Sequence, residues 1–418
     1  MRLSGFGEKF ARESGIRRLM DDLGQALAGG KPMLMLGGGN PSHIPAVEAL
    51  FRKRWRKILA DPREFGHVVG DYDPPHGEIR FIEALARLLR RECGWNITAG
   101  NIAITLGSQS SFFVLFNILA GKFRDGSRRK VLLPLAPEYI GYADAGLEED
   151  FFVSRRPKIE FLEERIFKYH PDLAALDVPD RIGAVCVSRP TNPTGNVITD
   201  AEVAALDKFA RARRVPLILD NAYGTPFPNI IFTDVRPFWN ENTILCMSLS
   251  KLGLPGARAG IVIAAEPVIR AVAAANAILS LAPSGIGPAL AMDLVRTGEI
   301  LRVSRDVIRP YYRKRAEEAV GELDAGLKGL PCFIHKPEGA LFLWLWCRDL
   351  PITSAELYER LKRRGVLVVS GHYFFPGLAG AWRHKQECIR ITYSQSPRTV
   401  ARGIAIIGEE VRKAYRMK

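Results

Sequence analysis

Ser248, Ser250 and Lys251 stand together in the stretch S-L-S-K-L-G-L-P-G-A-R, with Arg258 seven positions after the lysine. A primary amine, two hydroxyls and a guanidinium, set among Gly and Pro, match the needs of a phosphorylated aldehyde. The amine condenses with the carbonyl to give an imine. The hydroxyls and the guanidinium hold the phosphate. Pyridoxal 5'-phosphate carries both handles. A solvated surface lysine could show the same spelling, so the other polar clusters decide between the two readings.

Gly107-Ser108-Gln109 falls between an apolar run and a helical pattern. The free N–H groups and dipole of a helix start attract an anion there, although a plain serine cap is an equal reading. Asp220 closes the run Val215–Leu219. A partly buried carboxylate needs a partner. A pyridine N–H is one, and holding that nitrogen protonated makes the ring an electron sink. A capped turn is the other reading. Tyr223 and Asn192, the latter in the turn Asn192-Pro193-Thr194-Gly195, can donate to the phenolic oxygen of such a ring. Packing and an ordinary turn are the alternatives. Tyr139 can stack on a flat heterocycle or fill a loop. Arg390, in the apolar run Cys388-Ile389-Arg390-Ile391-Thr392, calls for an anion: a substrate carboxylate or an internal salt bridge.

These clusters lie where short apolar runs end. Ile102–Leu106, Val131–Leu133, Ala184–Val187, Leu217–Leu219 and Ile244–Met247 are continuous rather than alternating, and helical patterns separate them. That is the signature of a mainly parallel sheet covered on both faces. Ligands bind such sheets beyond the strands' carboxyl ends. From about Leu330 the pattern changes. Strand candidates at 333–335, 341–347, 366–369 and 388–393 and helices near 354–364 and 397–416 describe an α+β module.

The chain has 418 residues, 47% of them hydrophobic and 25% charged. This suits a large and a smaller domain in an ordinary globular protein. The net charge of +14 is dispersed in short groups such as Arg52-Lys53-Arg54, with no nucleic-acid motif among them. Six cysteines form no C-x-x-C pair, and the seven histidines lack ligand spacing. Reduced thiols, no metal site and no nucleic-acid partner are therefore expected. The N-terminus has no apolar signal core. The uncharged span Ala271–Met292 carries Pro283, Gly285 and Pro288, so it reads as two buried helices and a turn rather than a membrane crossing. The expected location is the cytoplasm.

Taken in order, the pattern resembles the fold-type I pyridoxal-phosphate enzymes, specifically the class I/II aminotransferases. The elements are Gly37-Gly38-Gly39-Asn40-Pro41, Tyr72 with Gly77 and Arg80, Gly107-Ser108-Gln109, Tyr139, Asn192-Pro193-Thr194-Gly195, Asp220 with Tyr223, S-L-S-K with Arg258, and Arg390. The resemblance implies a large α/β domain (46–325) with a mainly parallel seven-stranded sheet between helices. It also implies a small α+β domain (326–418), an N-terminal segment (1–45) packed on that domain, and a homodimer. It makes Lys251 the Schiff-base lysine, working through its imine with the cofactor in a ping-pong transamination. Asp220 would be the partner of the ring nitrogen, and Asn192 and Tyr223 those of the phenolic oxygen. Tyr139 would stack on the ring. Ser108, Gln109, Ser248, Ser250 and Arg258 would hold the phosphate, with Tyr72 arriving from the partner subunit. Arg390, Asn192 and Gly39 would receive the substrate carboxylate. Phe6, Tyr72, Tyr373 and Phe374 are candidates for the side-chain pocket, or for packing.

Longer stretches at 133–150, 188–200, 247–256 and within 335–346 narrow the resemblance to a branch exchanging an amino group between valine and pyruvate. The substrates are then amino acids and 2-keto acids. The competing expectations are a broader alanine or 2-aminobutyrate aminotransferase, a C–S β-lyase, and a cofactor-binding regulator without chemistry. The last usually carries a DNA-binding domain ahead of the Gly-rich loop, which here comes by residue 37.

Overall fold

The computed structural model describes residues 2–12, 14–28, 33–163, 165–178 and 180–417; residues 1, 13 and 29–32 of the expected N-terminal segment 1–45 lie outside it. The continuous apolar runs form an eight-stranded sheet. Its order is Ile102–Thr105, Gly260–Ile263, Thr243–Ser248, Leu217–Asp220, Ile182–Ser188 and Arg128–Leu133, with both Phe152–Ser154 and Gly121–Lys122 paired to the last. Gly260–Ile263 runs antiparallel to both neighbours, and the three remaining long-strand pairings, like that of Phe152–Ser154, are parallel. The two-residue strand Gly121–Lys122 is what raises the expected seven strands to eight.

Alternate residues along each strand feed two cores, which is why the runs are apolar throughout. Ile218, Ile244, Cys246 and Val262 meet the helices Ser108–Leu119 and Glu266–Ser280. Leu217, Leu245, Met247 and Ile261 face the opposite core, shared by Ile79–Cys93, Asp200–Ala212 and Ile286–Thr297. The uncharged span at 271–292 is indeed divided between two helices, with a break from Leu281 to Gly285. No helix among the described residues is long and apolar enough to cross a membrane.

A second, six-stranded sheet carries Val369–Ser370, Cys388–Thr392, Phe342–Cys347, Cys332–His335, Ile166–His170 and Lys158–Glu163 in that order. The helices Ser354–Arg363 and Pro397–Tyr415 pack beside it. The hairpin Lys158–His170 belongs to this sheet although it lies within 46–325, so the sheet does not respect a division at 325/326. Ile166–His170 runs parallel to Cys332–His335. Local patterning cannot announce such a long-range pairing. From the N-terminal segment, Leu34–Met35 pairs with Val366–Leu367. Thr392 N–H donates to Leu36 O at 2.8 Å. These bonds tie the Gly37–Asn40 loop to the second sheet.

Candidate active site

Asp220, Ser188 and Ser248 each end a strand of the large sheet. The strands that precede Gly107 and Tyr139 point the same way, so their loops converge at one edge. The loop of Gly37–Asn40 and the strand of Arg390 close over that edge from the second sheet. Lys251 follows Ser248 in a short turn of 3-10 helix, Ser250–Leu252.

Lys251 Nζ donates to Gly39 O at 2.6 Å and stands 5.3 Å from the Tyr223 ring centre. Burial and then Arg390 bring its pKa down to about 8, with Asp220 pulling the other way and Arg258 adding a smaller push down. About a tenth of the amine is then unprotonated at pH 7, far more than in an ordinary lysine, as a nucleophile or general base requires.

Asp220 accepts from Tyr142 Oη–H at 2.7 Å through Oδ2 and from Ala222 N–H at 3.0 Å through Oδ1. It forms no ion pair among the described residues. Burial raises its pKa, against the Tyr142 and Ala222 hydrogen bonds and the Lys251 charge. A carboxylate served only by neutral donors has room for a cationic N–H.

Arg390 is 2% exposed. Nη1 donates to Asn192 Oδ1 at 2.7 Å and Nη2 to Gly37 O at 2.6 Å, and Nε has no partner. The guanidinium lies 4.1 Å from the Phe342 ring centre and 5.3 Å from that of Phe374. Burial without a carboxylate brings its pKa down to about 10. A buried guanidinium with an orphaned N–H and no anion is suited to a carboxylate ligand. The salt-bridge alternative raised by the sequence finds no partner among the described residues.

The helix Ser108–Leu119 starts after Gly107, whose φ is 90°. Ser110 and Ser111 N–H turn back to Gly107 O, leaving the N–H groups of Ser108 and Gln109 at the helix start. A Cβ on Gly107 would come 2.4 Å from Arg258 Nη2, and one on Gly260 would come 2.8 Å from Ser108 N. Arg258 is exposed, with a left-handed φ of 50°, and Nη2 donates to Leu106 O at 3.3 Å. Backbone N–H groups, a helix start and a guanidinium thus meet in one anion cradle.

Ser250 N–H donates to Ser248 Oγ at 3.1 Å, so Ser248 helps to close the turn. The Gln109 side chain donates to Gly141 O at 3.0 Å, and its Oε1 is buried without a partner. Gln109 therefore offers the cradle its backbone rather than its side chain. Tyr139 meets Tyr142 edge-on at 5.4 Å, and Tyr223 is 5% exposed against Phe342 at 6.0 Å. Tyr72 is 80% exposed and Phe6 61%; Phe374 is fully buried and Tyr373 partly so.

Sequence reasoning singled out neither Tyr142 nor Ser188, Glu138 and Phe342. The signal for Tyr142 is a second aromatic three residues after Tyr139. For Glu138 it is a carboxyl wedged between Pro137 and Tyr139. A separate cleft of about 220 Å³ beside Arg54, His67, Asp73, Glu78 and Arg80 is lined by none of Lys251, Asp220, Arg390, Asn192, Gly107 or Arg258.

The family model "Aminotransferase class I and II" matches residues 51–407. The chain belongs to this aminotransferase family. It is 52% identical over 418 residues to a valine–pyruvate aminotransferase of Escherichia coli K12, covering 99% of each chain. Its fold matches a valine-pyruvate aminotransferase from Salmonella typhimurium LT2 at a TM-score of 0.89 and 50% identity, covering 97% of this chain and 100% of that one. A putative amino-acid aminotransferase from Psychrobacter arcticum 273-4 matches at a TM-score of 0.98 and 47% identity over all of both chains. The aminotransferase is an enzyme, and its cofactor is pyridoxal 5'-phosphate. The site fits that group: an anion cradle at Gly107, a depressed lysine at 251, and an Asp220 with no cation of its own.

Proposed function

We propose that this aminotransferase moves the amino group of valine to pyruvate, giving 3-methyl-2-oxobutanoate and alanine. Support for that pair of substrates comes from the relatives at 52% and 50% identity, both named for valine and pyruvate. The one observation that carries the site assignment is the buried, acid-free Arg390 guanidinium bonded to Asn192.

When bound, the cofactor carries the amino group between the two half-reactions and withdraws electrons from the substrate Cα. Lys251 Nζ would attach it and would serve as the general base toward the substrate Cα proton. Asp220 would keep the ring nitrogen protonated. Asn192 and Tyr223 would donate toward the phenolic oxygen, and Tyr139 would pack against the ring. Ser108, Gln109, Ser248, Ser250 and Arg258 would hold the phosphate, the first two with backbone N–H groups. Arg390 would bind the substrate carboxylate beside Asn192 and Gly39, which would fix Cα next to Lys251.

The reading includes a cytoplasmic homodimer in which Tyr72 completes the partner's site. Tyr72 is 80% exposed, and Ile278 and Leu281 are 88% and 61% exposed. Asn276 Nδ2 donates to Pro75 O at 2.8 Å, which links the segments that carry them. An exposed apolar face of that kind is what a second copy would cover.

The test is direct. Purified, cofactor-loaded protein with valine and pyruvate should yield alanine, and Lys251→Ala should not. Mixing Lys251→Ala with Tyr72→Phe chains should restore one intact site per dimer and raise activity above either variant alone. No alanine from the wild type would refute the substrate reading.

A further inference from the structure

Beyond Asp220 lies a second buried carboxyl that the reaction above leaves unused. Glu138 is 0% exposed and forms no ion pair among the described residues. Its Oε1 accepts from Ser188 N–H at 2.9 Å, and its Oε2 meets Ser188 Oγ. Ser188 Oγ stands 3.4 Å from Tyr142 Oη, which donates to Asp220 Oδ2 at 2.7 Å. Two hydroxyls therefore bridge a buried carboxyl and a partly buried one.

The direction of the protons follows from that count. A carboxyl buried without a cation is held neutral. A neutral Glu138 donates its O–H to Ser188 Oγ. The Ser188 O–H is then free to point at Tyr142 Oη, and the Tyr142 O–H at Asp220. Every donor runs toward Asp220 and favours its anion, and hydrogen bonds in such a chain reinforce one another. An ionised Glu138 would turn the Ser188 hydroxyl around and place a second negative charge nearby.

We propose that Glu138 is a positioning residue for the carboxylate that pairs with the cofactor nitrogen: as a neutral acid it orients Ser188 and Tyr142 so that Asp220 stays ionised. This deepens the aminotransferase reading of Asp220 and rests on it. Burial pushes the Glu138 pKa up to about 8, against its bonds to Ser188. The other groups facing it are Asp220 and Cys186 from neighbouring strands and Tyr139 and Tyr142 from its own loop. The charge of Lys251 acts on Asp220.

The test compares E138Q, E138L and S188A as cofactor-loaded proteins. Two quantities are read: the visible spectrum of the bound cofactor against pH, and the single-turnover rate with saturating valine. E138L and S188A should be slower by roughly tenfold, the worth of one hydrogen bond to a charged group. Half-saturating valine should not change, because Arg390 and Asn192 are untouched. E138Q can donate to Ser188 Oγ and accept from its N–H, so it should recover most of the rate lost in E138L. It should also lack the part of the wild-type spectral pH dependence that sets in near pH 8. Lys251 is common to wild type and E138Q, so their difference isolates Glu138. Two results would overturn the proposal: E138Q and wild type sharing one pH dependence, or E138Q as slow as E138L. Should E138L not fold, the comparison of E138Q with wild type decides alone. A wild type whose cofactor valine leaves unchanged would defeat the substrate reading, while the resting spectra would still report on Glu138.

Discussion

Arg390 Nη1 donates to Asn192 Oδ1 over 2.7 Å, and this bond joins the second sheet to the turn that follows a strand of the large one. The arginine sits between Phe342 and Phe374, so its fork is aimed by packing before any anion arrives. Arg390→Ala should raise the half-saturating concentrations of both amino acid and keto acid by roughly 100- to 1000-fold, the scale of breaking a buried ion pair. Arg390→Lys should recover part of that loss, since the charge survives and the planar fork does not. Steady-state kinetics for both half-reactions would check this. Unchanged saturation would remove Arg390 from the substrate site.

The lowered basicity of Lys251 has a direct kinetic signature. With a pKa of about 8, the free-amine fraction rises with pH through that value and then levels off. The rate at which cofactor-free protein captures pyridoxal phosphate should follow the same curve. Stopped-flow absorbance would trace it. A midpoint near 10, the ordinary range of lysine, would show that burial and the two arginines do not act as described.

Gly107→Ala should weaken cofactor binding. The position has a φ of 90°, and the added methyl would come 2.4 Å from the Arg258 guanidinium. A non-glycine residue there costs about 1–3 kcal/mol of strain, and the guanidinium would have to leave the cradle. Gly256→Ala is the control, because nothing lies within 4 Å of its added methyl. Fluorescence titration with the cofactor should separate the two variants by about tenfold or more in Kd.

Acid should loosen the protein through two histidines of the second sheet's surroundings. Burial brings both His335 and His384 down to about pKa 3; at His335 the Lys168 charge adds to this. The unfolded chain protonates them near 6.5, while the folded state does so only near 3. Between those values the unfolded state binds more protons, so stability falls as pH falls. The slope reaches about 1.4 kcal/mol per pH unit for each histidine. Thermal melts between pH 7 and 5 should show a falling Tm, less steep in His384→Phe. A Tm independent of pH over that range would contradict the buried neutral state.

Much of the fold and of the site is legible in the sequence alone. Ile218 and Leu219 read as strand because both faces of that strand are buried, and Asp220 then had to sit at its carboxyl end. Lys251, Arg258, Asn192 and Arg390 could be named because each is a polar group where local patterning predicts apolar surroundings or a strand end. Glu138 and Tyr142 were not, because their significance lies in a chain of contacts through Ser188, fifty residues away in sequence. The Gln109 side chain could not be placed either, since its partner Gly141 O belongs to a distant loop. The pairing of Ile166–His170 with Cys332–His335 was equally hidden.

That last pairing constrains how the polypeptide can be made. During synthesis the ribbon Lys158–His170 leaves the ribosome long before the strands it flanks. Its apolar Phe167 and Tyr169 must wait in water, beside an unpaired edge open to other nascent chains. Splitting the gene after Gly326 would therefore yield two polypeptides that each lack part of a sheet, and neither should become a self-sufficient folding unit without the other.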